Sequence, residues 1–173
     1  MEQNITLRPV RLEDTPRIQR ALNSRAVTRL LTDNVVFPYT LEDAVSYFEA
    51  ISLNEEDGIA YTRAVCLENR LVGLVSATFF FDARHRSAEL GYWLDGRFHG
   101  QGIIPAALRL FIPMLLKDRE ELVRLFCRIP GENKASARAA EKAGFMLEAV
   151  LKNALYLDET VMDEQIWAML LEK

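Results

Sequence analysis

The run Arg97-Phe98-His99-Gly100-Gln101-Gly102 carries the most chemistry per residue in this chain. It follows a strand-like stretch, Glu89-Leu90-Gly91-Tyr92-Trp93-Leu94, and opens a helix-like one at Ile103. A strand that feeds a glycine-spaced turn and then a helix N-terminus directs several backbone N–H groups toward one point. The helix dipole adds partial positive charge there, so the turn suits an anion, most often a phosphate. Gly100 and Gly102 let the main chain approach that anion without a Cβ in the way. Two common phosphate loops do not fit. No Gly-x-x-x-x-Gly-Lys-Ser/Thr string occurs, and a dinucleotide fingerprint needs glycine or alanine where Pro105 stands. A plain strand-to-helix turn is the competing reading of this string taken alone.

A second string reads Asn133-Lys134-Ala135-Ser136-Ala137-Arg138-Ala139-Ala140-Glu141-Lys142-Ala143-Gly144-Phe145. Together with Arg-x-x-Gly-x-Gly it resembles the paired motifs of the GNAT N-acetyltransferases, in the form of the RimJ/RimL-like branch. The order and spacing of the two agree with that branch. So do the opening Ile5-Thr6-Leu7-Arg8-Pro9, the helix start Thr40-Leu41-Glu42-Asp43 and a closing strand over 163–171. The resemblance implies an α/β GNAT fold, a mixed, mostly antiparallel central sheet of about seven strands flanked by about four helices. It also implies an N-acetyltransferase with acetyl-CoA as co-substrate, in which a primary amine attacks the thioester directly through a tetrahedral intermediate. A protein N-terminal α-amine, such as that of a ribosomal protein, and a small-molecule amine are both open as acceptors.

The same resemblance places the coenzyme's arm along Tyr92, Trp93 and Leu94. Its diphosphate falls at Arg97, His99, Gly100, Gln101, Gly102, Ile103 and Ile104, with His99 in a packing or phosphate-contact role. Asn133 is expected to cap its helix and touch the arm. The reaction needs a neutral amine, a donor for the oxyanion and stabilisation of the leaving thiolate. A lysine-like amine has a pKa of roughly 10.4, whereas a peptide α-amine is near 7.7–8.0 and needs less help from a base. Glu89, at the head of the strand entering the loop, is the expected base. Its alternative is a surface carboxylate paired with Arg84 or Arg86. Asp163 is the second choice. Backbone N–H groups of the 92–94 strand are the expected oxyanion donors.

At the leaving group the chain departs from a common pattern. Many members carry tyrosine four residues before the Gly-Phe pair, and Ala140 stands there. Ser136 lies one turn earlier on the same helix face, as in RimJ/RimL-like relatives, and is expected to hydrogen-bond the coenzyme's sulfur. The missing tyrosine and Pro105 keep one alternative from another class open, a non-catalytic acyl-CoA-binding regulatory module.

Composition narrows the partners. The chain has 173 residues, half of them hydrophobic, and a net charge of −4 with both signs interspersed. That is enough apolar material for one domain over 1–173, with no linker or repeat to divide it. No clustered basic face invites nucleic acid. The longest apolar helical run, 103–116, falls short of the roughly 20 residues that span a bilayer, and no signal peptide heads the chain. Cys66 and Cys127 lie in apolar strand-like runs without CxxC spacing, and read as buried, reduced thiols of a cytoplasmic protein. His85 and His99 are isolated, so no metal site is expected. A homodimer is possible and its existence is left open.

The elements that must position these groups read as follows. Residues 4–10 form an edge strand, and Asp14 caps a helix to Asn23. Thr40 and Asp43 form a capping box for a helix to about Leu53. Three strands follow over 59–67, 71–81 and 87–94, the first two joined by a turn at Glu68-Asn69-Arg70. A helix over 103–117 contains Pro113, which predicts a kink or an early break costing ~3 kcal/mol. A strand over 122–129, a helix over 133–142 stopped at Gly144, and two strands turning at Asp158-Glu159 complete the chain.

Overall fold

The computed structural model describes residues 4–31 and 35–172. One sheet of seven strands runs in the order β1-β2-β3-β4-β5-β7-β6. The strands are β1 Ile5–Arg8, β2 Ala60–Leu67, β3 Arg70–Phe79, β4 Ser87–Leu94, β5 Arg124–Pro130, β6 Met146–Leu157 and β7 Thr160–Leu170. Every neighbouring pair is antiparallel except β4–β5. That pair is joined by a crossover through a long helix, α4 Ile103–Asp118, as a parallel connection requires.

The tight antiparallel turns follow from local chemistry. Leu67 pairs with Arg70 across Glu68 and Asn69, whose φ values are +48° and +63°, and Leu157 pairs with Thr160 across Asp158 and Glu159 at +49° and +61°. Positive φ at both central residues is the twist-matched two-residue hairpin turn, which acidic and amide side chains tolerate.

Helices cover both faces. On one side lie α1 Thr15–Leu22, the single turn α2 Arg25–Thr28 and α3 Leu41–Glu56. Ile18, Leu22, Ala44 and Ile51 from these helices pack with Cys66, Leu74 and Trp93 of the sheet. On the other side lie α4 and α5 Lys134–Lys142. Ile104, Ala107, Leu108, Phe111 and Leu115 form the stripe by which α4 buries itself on Val75, Ala77, Ala88 and Leu90, a spacing of three and four residues that keeps one face inward. The capping box of α3 is present: Asp43 N–H donates to Thr40 Oγ1 at 3.1 Å and Thr40 N–H to Asp43 Oδ2 at 2.7 Å.

Two local expectations are corrected. The helix runs through Pro113 to Asp118 without a break. Pro113 and Arg109, whose carbonyl loses its partner, both face solvent, while Phe111, Ile112 and Leu115 hold the buried side in place. Water can satisfy the orphan carbonyl, so the break is not forced. Asp14 does not cap α1 through its side chain. Its buried carboxylate instead accepts both guanidinium nitrogens of Arg8 at 2.7 Å and the Arg11 N–H at 2.9 Å. The flanking helices number five among the described residues, in line with the expected architecture, the short one being the single turn α2 after α1.

Candidate active site

The parallel junction is short. Ser87, Ala88 and Glu89 pair with Arg124, Leu125 and Phe126, and the register ends there. Beyond it β4 continues to Leu94 paired with β3 alone, and β5 continues to Pro130 paired with β7 alone. The sheet therefore opens into a slot between residues 90–94 and 127–130. A cavity of about 270 Å³ occupies it, lined by Glu89 to Trp93, by Cys127 to Pro130, and by Asn133 and Ser136.

Strand alternation decides what faces the slot. Asp95 N–H donates to Val72 O at 2.8 Å, toward β3. Alternate residues of an antiparallel strand point their N–H and C=O to the same edge, so those of Glu89, Gly91 and Trp93 also turn to β3. The main-chain groups of Leu90, Tyr92 and Leu94 then turn into the slot. The side chains alternate across the sheet in the other sense. Trp93 packs with Leu74 beneath α1 and α3, whereas Leu90 and Leu94 pack beneath α4.

At the far end of β4 the glycine turn takes shape. A 3-10 turn, Gly96–Phe98, precedes α4, and both Gly100 and Gly102 adopt left-handed φ, +76° and +75°. A Cβ added at either would meet no heavy atom within 4 Å. Their requirement is thus conformational, and the space in front of the turn is open. The helical bond from Ala106 N to Gly102 O at 3.3 Å leaves the amides of Ile103 and Ile104 ahead of it at the positive end of α4. Pro105, in the same turn, contributes no donor.

The side chains around this turn are used to build it. Asp95 accepts the Arg97 N–H at 3.0 Å and a forked contact from the Arg97 guanidinium. The Arg97 hydrogen bond, against the effect of burial, holds the Asp95 carboxyl below its ordinary value. His99 Nε2 lies 2.9 Å from Leu94 O, and Gln101 Nε2 donates to Arg97 O at 3.2 Å. What these residues present to a ligand is mainly backbone.

At the opposite end Asn133 caps α5, its Oδ1 accepting from Ser136 N at 3.1 Å. Ser136 Oγ donates to the Tyr92 phenol oxygen at 2.9 Å, and the Tyr92 hydroxyl donates to Ser136 O at 3.1 Å. Burial pushes the Tyr92 phenol well above its ordinary range. No local spacing in the sequence signals this pairing. Tyr92 was expected to act through its backbone, and its partner lies 44 residues away on another element.

Glu89 sits where the strands part, on the cavity wall. Its charge bears on the Arg128 guanidinium, which is held up chiefly by its forked bond to Glu164 (3.0 and 2.9 Å), and on the Cys127 thiol, pushed up chiefly by burial. The surface partners expected for Glu89 have other bonds: Arg84 pairs with Asp82 at 2.7 Å, and Arg86 donates to Glu121 O at 2.9 Å. Asp163 stands outside the cavity, paired with Lys152 at 2.8 Å and accepting from Asn153 N–H.

The cavity's other wall is apolar. Leu22, Leu31, Val35, Tyr39, Tyr47 and Leu74 line it. Burial pushes the Tyr39 phenol up to about 12, so it stays neutral. Phe37, two residues before Tyr39, is exposed and does not line it. Cys66 and Cys127 are both free and buried. Among the described residues no cluster could hold a metal ion, and no helix is long and apolar enough to cross a membrane.

An acetyltransferase (GNAT) domain matches residues 4–146. The ribosomal-protein-serine acetyltransferase of Escherichia coli (strain K12) is 29% identical over 136 residues, 79% of this chain and 75% of that protein. Two N-acetyltransferases of Bacillus subtilis (strain 168) are 32% and 30% identical over 103 residues, which spans 60% of this chain but only 52% and 56% of theirs. Among solved structures, RimL, a ribosomal L7/L12 α-N-protein acetyltransferase in complex with coenzyme A, shares the fold with a TM-score of 0.85 at 22% identity, covering 99% of this chain and 96% of that one. The microcin C7 self-immunity acetyltransferase MccE, in complex with acetyl-CoA and AMP, gives 0.83 at 25% identity over 99% and 94%. The slot between β4 and β5, the glycine turn at its end and the domain match across 4–146 lead to one conclusion: this chain belongs to the GNAT acetyltransferase family.

Proposed function

We propose that the chain, as one domain over 1–173, is a cytoplasmic acetyl-CoA-dependent N-acetyltransferase whose acceptor is a peptide or protein N-terminal α-amine. The observation that carries this reading is the parting of β4 and β5 at Glu89 and Phe126. It creates a slot with main-chain donors on one edge, an open glycine turn at one end and an acidic side chain at its origin. The amides of residues 100–104 are suited to the coenzyme's diphosphate, and the slot to its arm. The amide of Tyr92 or Leu94 would then meet the oxyanion, and Glu89 would take the amine's proton directly or through water. The Tyr92–Ser136 hydroxyl pair stands ready for the leaving sulfur.

The walls of the cavity support this acceptor class. Glu89 is the one carboxylate among the described residues lining the cavity, and the surrounding side chains are mostly apolar. One carboxylate matches one modestly basic amine flanked by an uncharged residue. A polyamine would need several. The relative from Escherichia coli is named for a ribosomal protein serine, which supports the same class. Cytoplasmic location is supported by two free buried thiols, which persist in a reducing compartment. The homodimer has one supporting feature: the edge strand β6 leaves Met146, Leu147, Val150 and Leu151 exposed. Light scattering at micromolar concentration tests it.

The decisive experiment is thiol release from acetyl-CoA against a panel of peptides with free N-termini, Nα-blocked lysine peptides and polyamines. Release that requires a free α-amine is the expected result. Release with the blocked peptides or polyamines moves the acceptor to side-chain or small amines. Tight coenzyme binding with no acceptor-dependent release would instead favour an acyl-CoA-binding regulatory module, the reading that Ala140 leaves room for.

A further inference from the structure

The Tyr92–Ser136 pair puts a second hydroxyl beside the one to which the sequence assigns the coenzyme's sulfur. Resting on the acetyltransferase reading above, we infer that the Tyr92 phenol is the group that hydrogen-bonds the departing thiolate, and that Ser136 is a positioning residue that holds the phenol in place.

The direction of the hydrogen bonds carries the assignment. Tyr92 donates to the Ser136 carbonyl, which can only accept, so the 2.9 Å contact between the two hydroxyls uses the single Ser136 hydroxyl proton. To serve the sulfur, Ser136 would have to abandon that bond. Tyr92 gives its own proton to the Ser136 carbonyl at 3.1 Å, the longer of the two contacts and one to a neutral acceptor. Rotation about the phenol C–O bond releases it without moving the ring. The Ser136 contact to the oxygen survives that rotation and strengthens the phenol as a donor.

Acidity points the same way. A phenol, with an ordinary pKa of about 10, lies near a thiol at about 8.5, and an alkyl hydroxyl lies far above both. Hydrogen bonds to an anion strengthen as the donor's acidity approaches that of the anion's acid. Burial raises the Tyr92 pKa, chiefly by desolvation, which widens the gap to the thiol yet leaves the phenol far closer than an alkyl hydroxyl and keeps its proton in place. The step is then balanced simply. The amine nitrogen bonds the acetyl carbon and the C–S bond breaks with its electron pair going to sulfur. The amine's proton departs toward Glu89, and the thiolate leaves hydrogen-bonded to Tyr92 and is protonated by water after release.

Placement also favours tyrosine. Tyr92 lies on the slot edge of β4, beyond the last β4–β5 rung, and lines the cavity together with Ser136. Ala140, one turn along α5, is buried and brings no hydroxyl. A strand thus delivers the phenol that a helix position lacks.

The test uses Tyr92→Phe, Ser136→Ala and Ser136→Thr, with urea melts to verify folding. Two readouts are taken: steady-state thiol release, and titration of bound coenzyme A by its thiolate ultraviolet absorbance, which needs no acceptor. Tyr92→Phe is expected to lower kcat roughly tenfold to a hundredfold with KM for acetyl-CoA unchanged, the loss expected for a hydrogen bond to a charged group. It should also raise the pKa of the bound thiol by roughly one unit. Ser136→Ala should lose less in both, and Ser136→Thr should recover. A bound-thiol pKa that ignores Tyr92→Phe overturns the inference, as does a Ser136→Ala loss exceeding that of Tyr92→Phe. Failure of the unmodified protein to bind coenzyme A, read by calorimetry, is a different result and overturns the function on which the inference rests.

Discussion

Glu89 stands directly across from Phe126 on the final rung joining β4 to β5, and the Phe126 ring stacks on Phe80 at 5.9 Å between centroids. The aromatic pair closes the sheet on one side of the carboxylate, and the slot opens on the other. A base placed at a fork in the backbone is held by two strands yet meets the ligand space. Glu89→Gln keeps the shape and removes the charge. We expect kcat for a peptide acceptor to fall about 10²-fold at neutral pH while coenzyme affinity is retained. Steady-state thiol release and calorimetry measure the two. Full turnover at saturating substrate would remove Glu89 from the chemistry.

The glycine turn makes a prediction in which sterics and conformation separate. Gly102 has φ +75° with open space where a Cβ would go. Gly102→Ala therefore meets backbone strain alone, about 1–2 kcal/mol in urea unfolding. Coenzyme A affinity should drop beyond that, because the amides at 102–104 are re-aimed. If Gly100→Ala and Gly102→Ala bind coenzyme A as tightly as the parent, the turn is not the diphosphate site.

Arg8 and Asp14 form a part-buried forked pair, and their effect on stability has a definite sign. Burial opposes the Asp14 charge, but the Arg8 and Arg11 bonds prevail and leave its folded pKa depressed. A depressed carboxylate stabilises the fold above its unfolded pKa, near 3.9, and this stability is lost as pH falls through the folded value. Asp14→Asn should cost about 3 kcal/mol at neutral pH. The gap between variant and parent should narrow below about pH 4, as read by urea melts across that range. A gap that stays constant with pH would show that the effect is packing rather than charge.

Cys66 and Cys127 are buried with pKa values raised chiefly by desolvation. The thiolate is the reactive form. Both should resist Ellman's reagent in the native protein at neutral pH and titrate fully in denaturant. Rapid native labelling of Cys127 would mean that the slot admits bulky reagents.

What the sequence reveals and what it hides divide by range. The turn at 97–102, the capping box at Thr40 and the two acidic hairpin turns are local: a few adjacent residues set the backbone, and they are visible as strings. The features that differ depend on how separate elements come together or on solvent. Asp14 serves Arg8 rather than its own helix because β1 brings a guanidinium alongside. Pro113 leaves α4 unbroken because its side of the helix is wet. The Tyr92 phenol meets Ser136 only once β4 and α5 are packed, and no spacing rule connects positions 92 and 136. Arg97 and His99 stand out as charged loop residues, yet their side chains brace the loop from behind, on Asp95 and Leu94.

The three-rung junction has a mechanical corollary. Strands β1–β4 and β5–β7 are two antiparallel slabs stitched along a seam that is already unzipped over half its length. A pantetheine lying in the gap would act as a surrogate strand, bridging both slabs through main-chain amides. The coenzyme would then be mortar as well as reagent, and amide hydrogen exchange at 90–94 and 127–130 should slow on loading more than anywhere else in the sheet.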